Sequence, residues 1–216
     1  MTDESTTDLP EIPEERALAE CRERLGEDHP DTLTAMLDLA EVLWPRGRLS
    51  QARQLEEQVV AARTRLLGED HPDTLKALGK LATTIGALGD IGEARRLQEQ
   101  IVAGMRQALG DEHRDTLRAV NNLAGTIAAE GDPITAREML QSTIAALSRV
   151  FGDDDRDCLT AMGNLAAILW QMEETDEAYW LQHHVADTLA RLHGGDDPAT
   201  LAATATLRMM ERNGRL

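Results

Sequence analysis

An eight-residue phrase returns at a fixed interval along this chain of 216 residues. In its fullest form it reads GEDHPDTL, at Gly26–Leu33 and again at Gly68–Leu75. Degenerate copies begin at Gly110, Gly152 and Gly194, so the five leading glycines lie 42 residues apart each time. A strict period of about 20 to 50 residues is the signature of stacked repeats, in which each unit buries its apolar face against its neighbours. The period therefore restricts the fold before any single residue is interpreted.

Each period contains two helical patterns. In the second unit Leu75, Leu78, Ala82 and Ile85 make one apolar stripe, which predicts a helix over Pro72–Ala87. A second helix follows in every unit, predicted at about Ser50–Leu67, Gly92–Leu109, Pro133–Phe151 and Thr175–His193. Alanines recur where helices must approach closely, at Ala40, Ala82, Ala124 and Ala166 in the first helices and at Ala52, Ala94, Ala136 and Ala178 in the second.

Local chemistry sets the helix ends. Pro72 suits a first helical position and His71 the N-cap, while Asp155 and Asp197 occupy the same N-cap column in later units. Asp is the better cap, so the column indicates capping and not catalysis. The turn between the two helices is predicted at Gly47, Gly89, Gly131 and, in the fourth unit, Glu173, with Ser50, Asp132 and Thr175 as caps of the second helices.

These patterns predict an all-α protein, a right-handed α-solenoid of antiparallel helix pairs. Residues 1–12 are acidic and aperiodic, and we expect a disordered tail there. A helix over 13–25, with Leu18, Cys21 and Leu25 on its apolar side, would cap the stack. Four units follow at 26–67, 68–109, 110–151 and 152–193, and a lone C-terminal helix over 194–216 would close one continuous domain.

Charge and cysteine content restrict the partners. With 22 basic and 39 acidic side chains, the net charge of −17 argues against binding to nucleic acid and to anionic membranes, although solubility alone is the simpler explanation of that charge.

Cys21 and Cys158 lie too far apart along such a stack to form a disulfide, and we expect them to be buried thiols of a reducing compartment. No apolar run reaches the length of a membrane span. The sequence therefore predicts a cytoplasmic protein.

The repeat also resembles a known family. Leu-Ala in the first helix, a turn with Gly, an early Ala in the second helix and the 42-residue GEDHPDTL period are similar to the kinesin-light-chain type of tetratricopeptide repeat. The resemblance covers about Glu14 to Arg212, and it departs at the Glu173 turn and at the unpaired last helix. It implies an extended peptide held in the concave groove, with Asn at the positions of Asn122 and Asn164.

The residues themselves favour the same face. Positions one and five residues after the phrase-ending Leu should point away from the buried stripe, into the concave wall. They hold Thr34 and Asp38, Lys76 and Lys80, Arg118 and Asn122, and Thr160 and Asn164. Amides can bond a peptide backbone and cations can pair acidic groups. The candidate ligand-binding residues are Lys76, Lys80, Arg118, Asn121, Asn122, Thr160 and Asn164, with Gln171, Trp44 and Trp170 as weaker candidates. The alternative is a solvated helix face.

Metal binding and catalysis find no support. His29, His71 and His113 lie in successive units, too far apart for one ion, and His183 and His184 point about 100° apart on a helix. The paired loop acids recur in every unit, as linker residues would. Phosphate-loop, dinucleotide-binding and nucleophile motifs are missing from the sequence. We therefore expect no cofactor, no metal and no enzymatic activity.

Three functional interpretations stay open. The first is a protein-interaction scaffold that binds a peptide or partner protein in the concave groove. The second is self-association, as a homodimer, through apolar residues that the last helix would expose, among them Leu201, Ala205, Leu207, Met209 and Met210. The third is an enzymatic or small-anion-binding cavity, in which the groove would bind a small anionic metabolite.

Overall fold

The computed structural model describes residues 12–214. Over that range the chain forms ten α-helices and one turn of 3₁₀ helix, with no strand. The predicted all-α class is confirmed. The predicted tail falls almost wholly on residues 1–11, outside the described residues, whereas Ile12 is buried against the first helices.

The structure divides into two compact units, Met1–Gly89 and Asp90–Leu216. Unit one contains α1 (Pro13–Leu25), α2 (Pro30–Leu43), the 3₁₀ turn Trp44–Arg46, α3 (Leu49–Leu67) and α4 (Pro72–Ala87). Unit two contains α5 (Ile91–Leu109), α6 (Arg114–Glu130), α7 (Pro133–Phe151), α8 (Arg156–Gln171), α9 (Thr175–His193) and α10 (Pro198–Gly214). Within each unit every helix packs against the next along the chain.

Side chains of the repeated eight-residue phrase cap the N-termini of the first helices. His29, His71 and His113 accept a hydrogen bond at Nδ1 from the backbone N–H two residues later, at 3.1–3.2 Å. Asp155 accepts from the N–H of residue 157 at 3.0 Å, and Asp197 accepts from the N–H groups of residues 199 and 200. The predicted capping column is confirmed, and it accounts for three of the six histidines.

The turns between helices also match the prediction. The predicted turn glycines Gly47, Gly89 and Gly131 all have positive φ, at 73°, 98° and 103°, a region that is unfavourable for a residue with a Cβ. Glu173 takes the place of the turn glycine and is the one non-glycine with positive φ among the described residues, at 64°. Asp132 caps α7 as predicted. The caps predicted at Ser50 and Thr175 are wrong, because α3 and α9 begin at Leu49 and Thr175 and leave Arg48 and Glu174 at the N-caps.

Small residues and a stripe of larger ones form the core. The eight recurrent alanines are each at most 2% exposed, as close helix packing requires. Leu75, Leu78 and Ile85 are buried as predicted. Leu25, expected on the apolar side of α1, is the last residue of that helix and is 40% exposed instead.

The two thiols differ in burial. Cys158 is fully buried, and its burial raises the pKa of the thiol to about 11. Cys21 is only partly buried, contrary to the prediction. Both are free.

A polar column runs through the second helices at a period of 42 residues. Glu56, Gln98 and Gln182 are each at most 4% exposed, and Leu140 occupies the same column in α7. Gln182 Nε2 donates to the carbonyl of Ala203 in the following helix at 2.9 Å. This column cannot be recognised from the sequence, because polar residues at one position per unit do not stand out against a polar helix face.

The last helix exposes less apolar surface than predicted. Leu201 and Met209 are 55% and 40% exposed, whereas Leu207 and Met210 are 9% and 1% exposed. Leu207 packs in a cluster with Val185 and Leu189 of α9. The single partner helix therefore covers two of the five predicted residues, whereas Leu201, Ala205 and Met209 stay exposed. Self-association stays a prediction on this smaller surface.

Candidate functional site

Polar side chains of α6 and α8 come together within unit two. Asn164 Nδ2 of α8 donates to Asn121 Oδ1 of α6 at 3.0 Å, and Asn121 Nδ2 lies 3.5 Å from Asn122 Oδ1. We call the surface formed by Arg118, Asn121, Asn122, Thr160 and Asn164 the amide face. Five of the seven predicted site residues therefore share one surface, because first helices of successive repeats lie next to each other.

A cavity of 210 Å³ opens on this face. Two of its eight lining residues are leucines and the other six are polar or charged, a combination that suits a segment with both a backbone and short side chains to accommodate. Its lining consists of Leu117, Arg118, Asn121, Asn122, Leu147, Arg156, Asp157 and Thr160.

The members of the amide face differ in what they can offer a ligand. Asn122 and Arg118 are exposed, and Asn164 is partly exposed. Asn121 is 8% exposed and already bonded to both neighbouring amides, so it positions them. The hydroxyl of Thr160 donates to the carbonyl of Arg156 at 2.8 Å, within its own helix.

An arginine clamp that the sequence analysis missed borders the cavity. Arg114 at the start of α6 bonds Asp155 with both terminal nitrogens, at 3.0 and 2.9 Å, and reaches Asp157 at 2.5 Å. Its guanidinium lies 4.1 Å from the centre of the Phe151 ring. Arg118 Nε lies 3.3 Å from the other oxygen of Asp157. The clamp ties the N-terminus of α8 to α6 and so fixes the two helices of the amide face.

The clamp changes proton affinities on both sides. Burial alone would raise the pKa of Asp155, but the Arg114 bonds and the backbone N–H of Asp157 outweigh it, and the pKa is lowered. The same bonds raise the pKa of Arg114. The sequence carried a signal: Arg114 and Arg156 stand where three other units have proline, at Pro30, Pro72 and Pro198.

Cationic charge on this face comes from Arg118 and Arg156. Arg118 shares Asp157 with Arg114, so that carboxylate compensates two cations. The exposed guanidinium of Arg156 makes no hydrogen bond or ion pair within residues 12–214, although it contributes to lowering the pKa of Asp197. The amide face therefore combines amide groups with a small excess of positive charge in a chain of net charge −17.

The two predicted lysines lie in unit one. Lys76 is exposed, and Lys80 pairs with Glu41 of α2. Beside them the buried Glu56 of α3 has a pKa raised by burial, which the Thr84 hydroxyl and Lys80 only partly offset. Lys80 is thus held by acids of its own unit. A ligand-binding role for Lys76 and Lys80 stays a prediction.

The remaining candidates contribute less. Gln171 is exposed, Trp44 is 43% exposed and Trp170 is partly buried. His183 Nδ1 lies 3.1 Å from Asp187, an i,i+4 contact on the surface of α9. Over residues 12–214, no group of three or more His, Cys, Asp or Glu side chains could hold a metal ion.

Sequence comparison identifies the repeat. A profile described as tetratricopeptide repeat matches residues 32–73 and 74–115, and a second profile of the same description matches residues 115–179. The chain belongs to the tetratricopeptide repeat family. No curated protein matches it in sequence. Among the described residues of this tetratricopeptide repeat protein, no helix has both the length and the apolar character that a membrane crossing would need.

Solved structures support the same assignment. A Podosopora anserina protein described as a kinesin light chain with nearly identical TPR-like repeats is 29% identical, with a TM-score of 0.65 over 87% of this chain and 89% of its own. A variant form of that protein gives 0.63 over 82% and 84%, also at 29% identity. BtubC (BKLC) of P. vanneervenii is 18% identical and shares the fold, with a TM-score of 0.71 over 94% of this chain and 85% of its own. The kinesin-light-chain-like type of repeat is confirmed.

Proposed function

We propose that this tetratricopeptide repeat protein is a non-catalytic scaffold that binds an extended peptide segment of a partner protein on the amide face. The observation that carries the proposal is the pairing of Asn164 with Asn121, which holds amide groups of two helices side by side at the rim of a cavity. Family membership supports a protein-interaction role in general.

The chemistry of the face favours a particular kind of segment. A side-chain amide offers one acceptor and two donors, the complement of a peptide unit, so Asn122 and Asn164 can bond an extended backbone whatever its side chains. Arg156, without an ion pair among the described residues, favours a carboxylate near the same point. The expected ligand is an extended peptide with at least one acidic side chain.

The buried Asn121 prepares the neighbouring amides for binding. Asn121 is satisfied within the protein and keeps the neighbouring amides oriented, so little freedom is lost when a peptide binds. A cytoplasmic location is part of the proposal, and the free thiols of Cys21 and Cys158 agree with a reducing compartment.

The test begins with selection of peptides from a random display library against the full chain. Titration calorimetry then compares Asn122→Ala, Arg156→Ala and the wild type with one selected peptide. Loss of one well-placed hydrogen bond should weaken binding by about 1 kcal/mol, or about fivefold, without changing the melting temperature.

Gln107→Ala provides the matched control, because it removes an exposed amide from α5, a helix that contributes no residue to the amide face or to its cavity. Equal affinity for Asn122→Ala, Gln107→Ala and the wild type would rule out the amide face as the binding site.

A further inference from the structure

A second groove lies between α7 and α9, with α8 as its floor. It has a volume of 560 Å³, and its wall is mainly apolar. Ile144 of α7, Met162 and Leu165 of α8 and Trp180 and Leu181 of α9 supply most of that wall. It shares no lining residue with the cavity on the amide face. We call it the Trp180 groove.

Trp180 departs from the repeat. Its side chain is 68% exposed, more than any other large apolar side chain given for the described residues. The same column holds Gln54, Arg96 and Glu138 in the earlier units, so the repeat needs a polar residue there and not a core residue. Packing of unit two therefore does not explain the indole, whereas an exposed aromatic side chain beside an apolar groove is typical of binding anchors.

Neighbouring rings hold the indole in place. Tyr179 packs edge-to-face on Trp180 with ring centres 5.8 Å apart, and His183 lies 6.2 Å from Trp180. Tyr179 OH in turn reaches Glu211 of α10 at 3.4 Å. An anchor already restricted in the free protein loses little side-chain freedom on binding.

The charge on the groove specifies the partner. Asp153 and Glu177 are its two carboxylates, and no Lys or Arg lines it. Asp153 accepts a hydrogen bond from Ser148, and neither carboxylate forms an ion pair among the described residues. The nearby cation Arg191 is already paired with Asp154 at 2.7 Å. A segment that fits this groove needs apolar side chains for the wall and Arg or Lys for the carboxylates.

We propose that the Trp180 groove is a second docking site, for a segment of a partner protein in which aliphatic residues are flanked by basic ones. Trp180 is the anchor, and Glu177 pairs with a flanking Arg or Lys. The site is independent of the amide face. It lets one scaffold hold a basic, apolar segment on its second helices while an extended peptide occupies its first helices. Two copies of this chain would bring like charges together, so a second copy is a poor occupant.

A synthetic peptide with two leucines flanked by arginines tests the site on the 216-residue chain by titration calorimetry. Trp180→Ala should weaken binding about tenfold or more, and Glu177→Gln about threefold. Asp176→Asn makes the same charge change on the neighbouring residue, and Ile134→Ala removes another exposed apolar side chain at the start of α7. Both controls should bind like the wild type. Trp180→Glu, which restores the residue of the preceding unit, should lose binding while folding normally by circular dichroism.

Three results would overturn the proposal. The first is equal affinity for all the variants, which would mean that net charge alone attracts the peptide. The second is equally tight binding of a peptide with serines in place of leucines. The third is a concentration-dependent dimer in sedimentation that Trp180→Ala abolishes, because a second copy would then occupy the groove.

Discussion

Replacing Glu56 with Gln should stabilise the protein at neutral pH. Glu56 is 4% exposed, and its Oε2 has no hydrogen-bond partner within the described residues. Gln182, three periods later, donates to the carbonyl of Ala203. The equivalent carbonyl in unit one is that of Ala77, which an ionised carboxylate cannot bond. A Gln amide can, so Glu56→Gln supplies the missing donor.

The magnitude follows from two contributions. A buried polar group left unpaired costs about 1–3 kcal/mol, and a new hydrogen bond contributes about 1 kcal/mol. Against this, the variant loses the attraction of Lys80 and the negative charge that strengthens the hydrogen bond from Thr84, both of which offset part of the burial cost. We expect a net gain of about 1 kcal/mol in the free energy of unfolding, or about 2–4 °C in melting temperature for a chain of this length.

The pH dependence distinguishes this mechanism from a simple packing effect. The ordinary pKa of Glu is 4.5, and burial raises it in the folded protein. An acid with a raised folded pKa binds its proton more tightly when folded, so wild-type stability falls as the pH rises from 4.5 through that raised value. Below pH 4.5 the protonated carboxyl of Glu56 can itself donate a hydrogen bond to the carbonyl of Ala77. The advantage of Glu56→Gln should therefore be present at pH 7 and nearly absent at pH 4.

Urea unfolding followed by circular dichroism at both pH values provides the assay. Glu57→Gln is the control, because Glu57 is about half exposed and pairs with Arg53 within its helix, an interaction worth about 0.5 kcal/mol. A Glu56→Gln variant that is less stable than the wild type at pH 7, or equally more stable at both pH values, would refute the reasoning.

Two further predictions concern the repeat itself. Gly68→Ala should destabilise the protein by about 1 kcal/mol, because the residue has a φ of 97°. Gly79→Ala inside α4 should stabilise it by about 0.5–1 kcal/mol, since nothing lies within 4 Å of the added Cβ. Equal effects of the two substitutions in thermal melts would contradict this. Arg114→Ala should cost about 1 kcal/mol in urea unfolding at pH 7, a modest value because the arginine is partly exposed. The loss of stability should shrink as the pH falls below 3.8, the ordinary pKa of an Asp, toward the lowered pKa of Asp155. A loss that does not change in acid would exclude the clamp as its cause.

Much of the fold could be predicted because its determinants are local. The bounds of α4, α7 and α9 were predicted to the residue, since proline, capping side chains and glycines act within one helical turn of their own position. The caps predicted at Ser50 and Thr175 were wrong although both residues have good capping side chains. Both already lie inside a helix, since α3 begins at Leu49 and α9 begins at Thr175.

Tertiary features were harder to predict. Burial of Leu207 and Met210 depends on how α10 lies on α9, which no local signal specifies. Glu56 and Gln182 are polar residues in the core, where hydrophobic periodicity does not look for them. The substitution of Arg114 for proline was visible in the sequence, but only the structure shows that it reaches Asp155 and Asp157 of the next repeat.

The amide face was predicted in part. Asn122 and Asn164 were chosen by their spacing on a helix, and the structure brings their helices together through Asn121. Lys76 and Lys80 were chosen by the same spacing, yet Lys80 pairs with Glu41, because helix periodicity selects a face without showing what the neighbouring helix places opposite.

The most direct measurement is an NMR titration of the isotope-labelled chain with a display-selected peptide, followed at the side-chain amides of its asparagines. The account predicts saturating shifts at Asn122 and Asn164, with intermolecular contacts from those side chains to the peptide backbone. Shifts that leave both asparagines unchanged while the peptide binds elsewhere would contradict it.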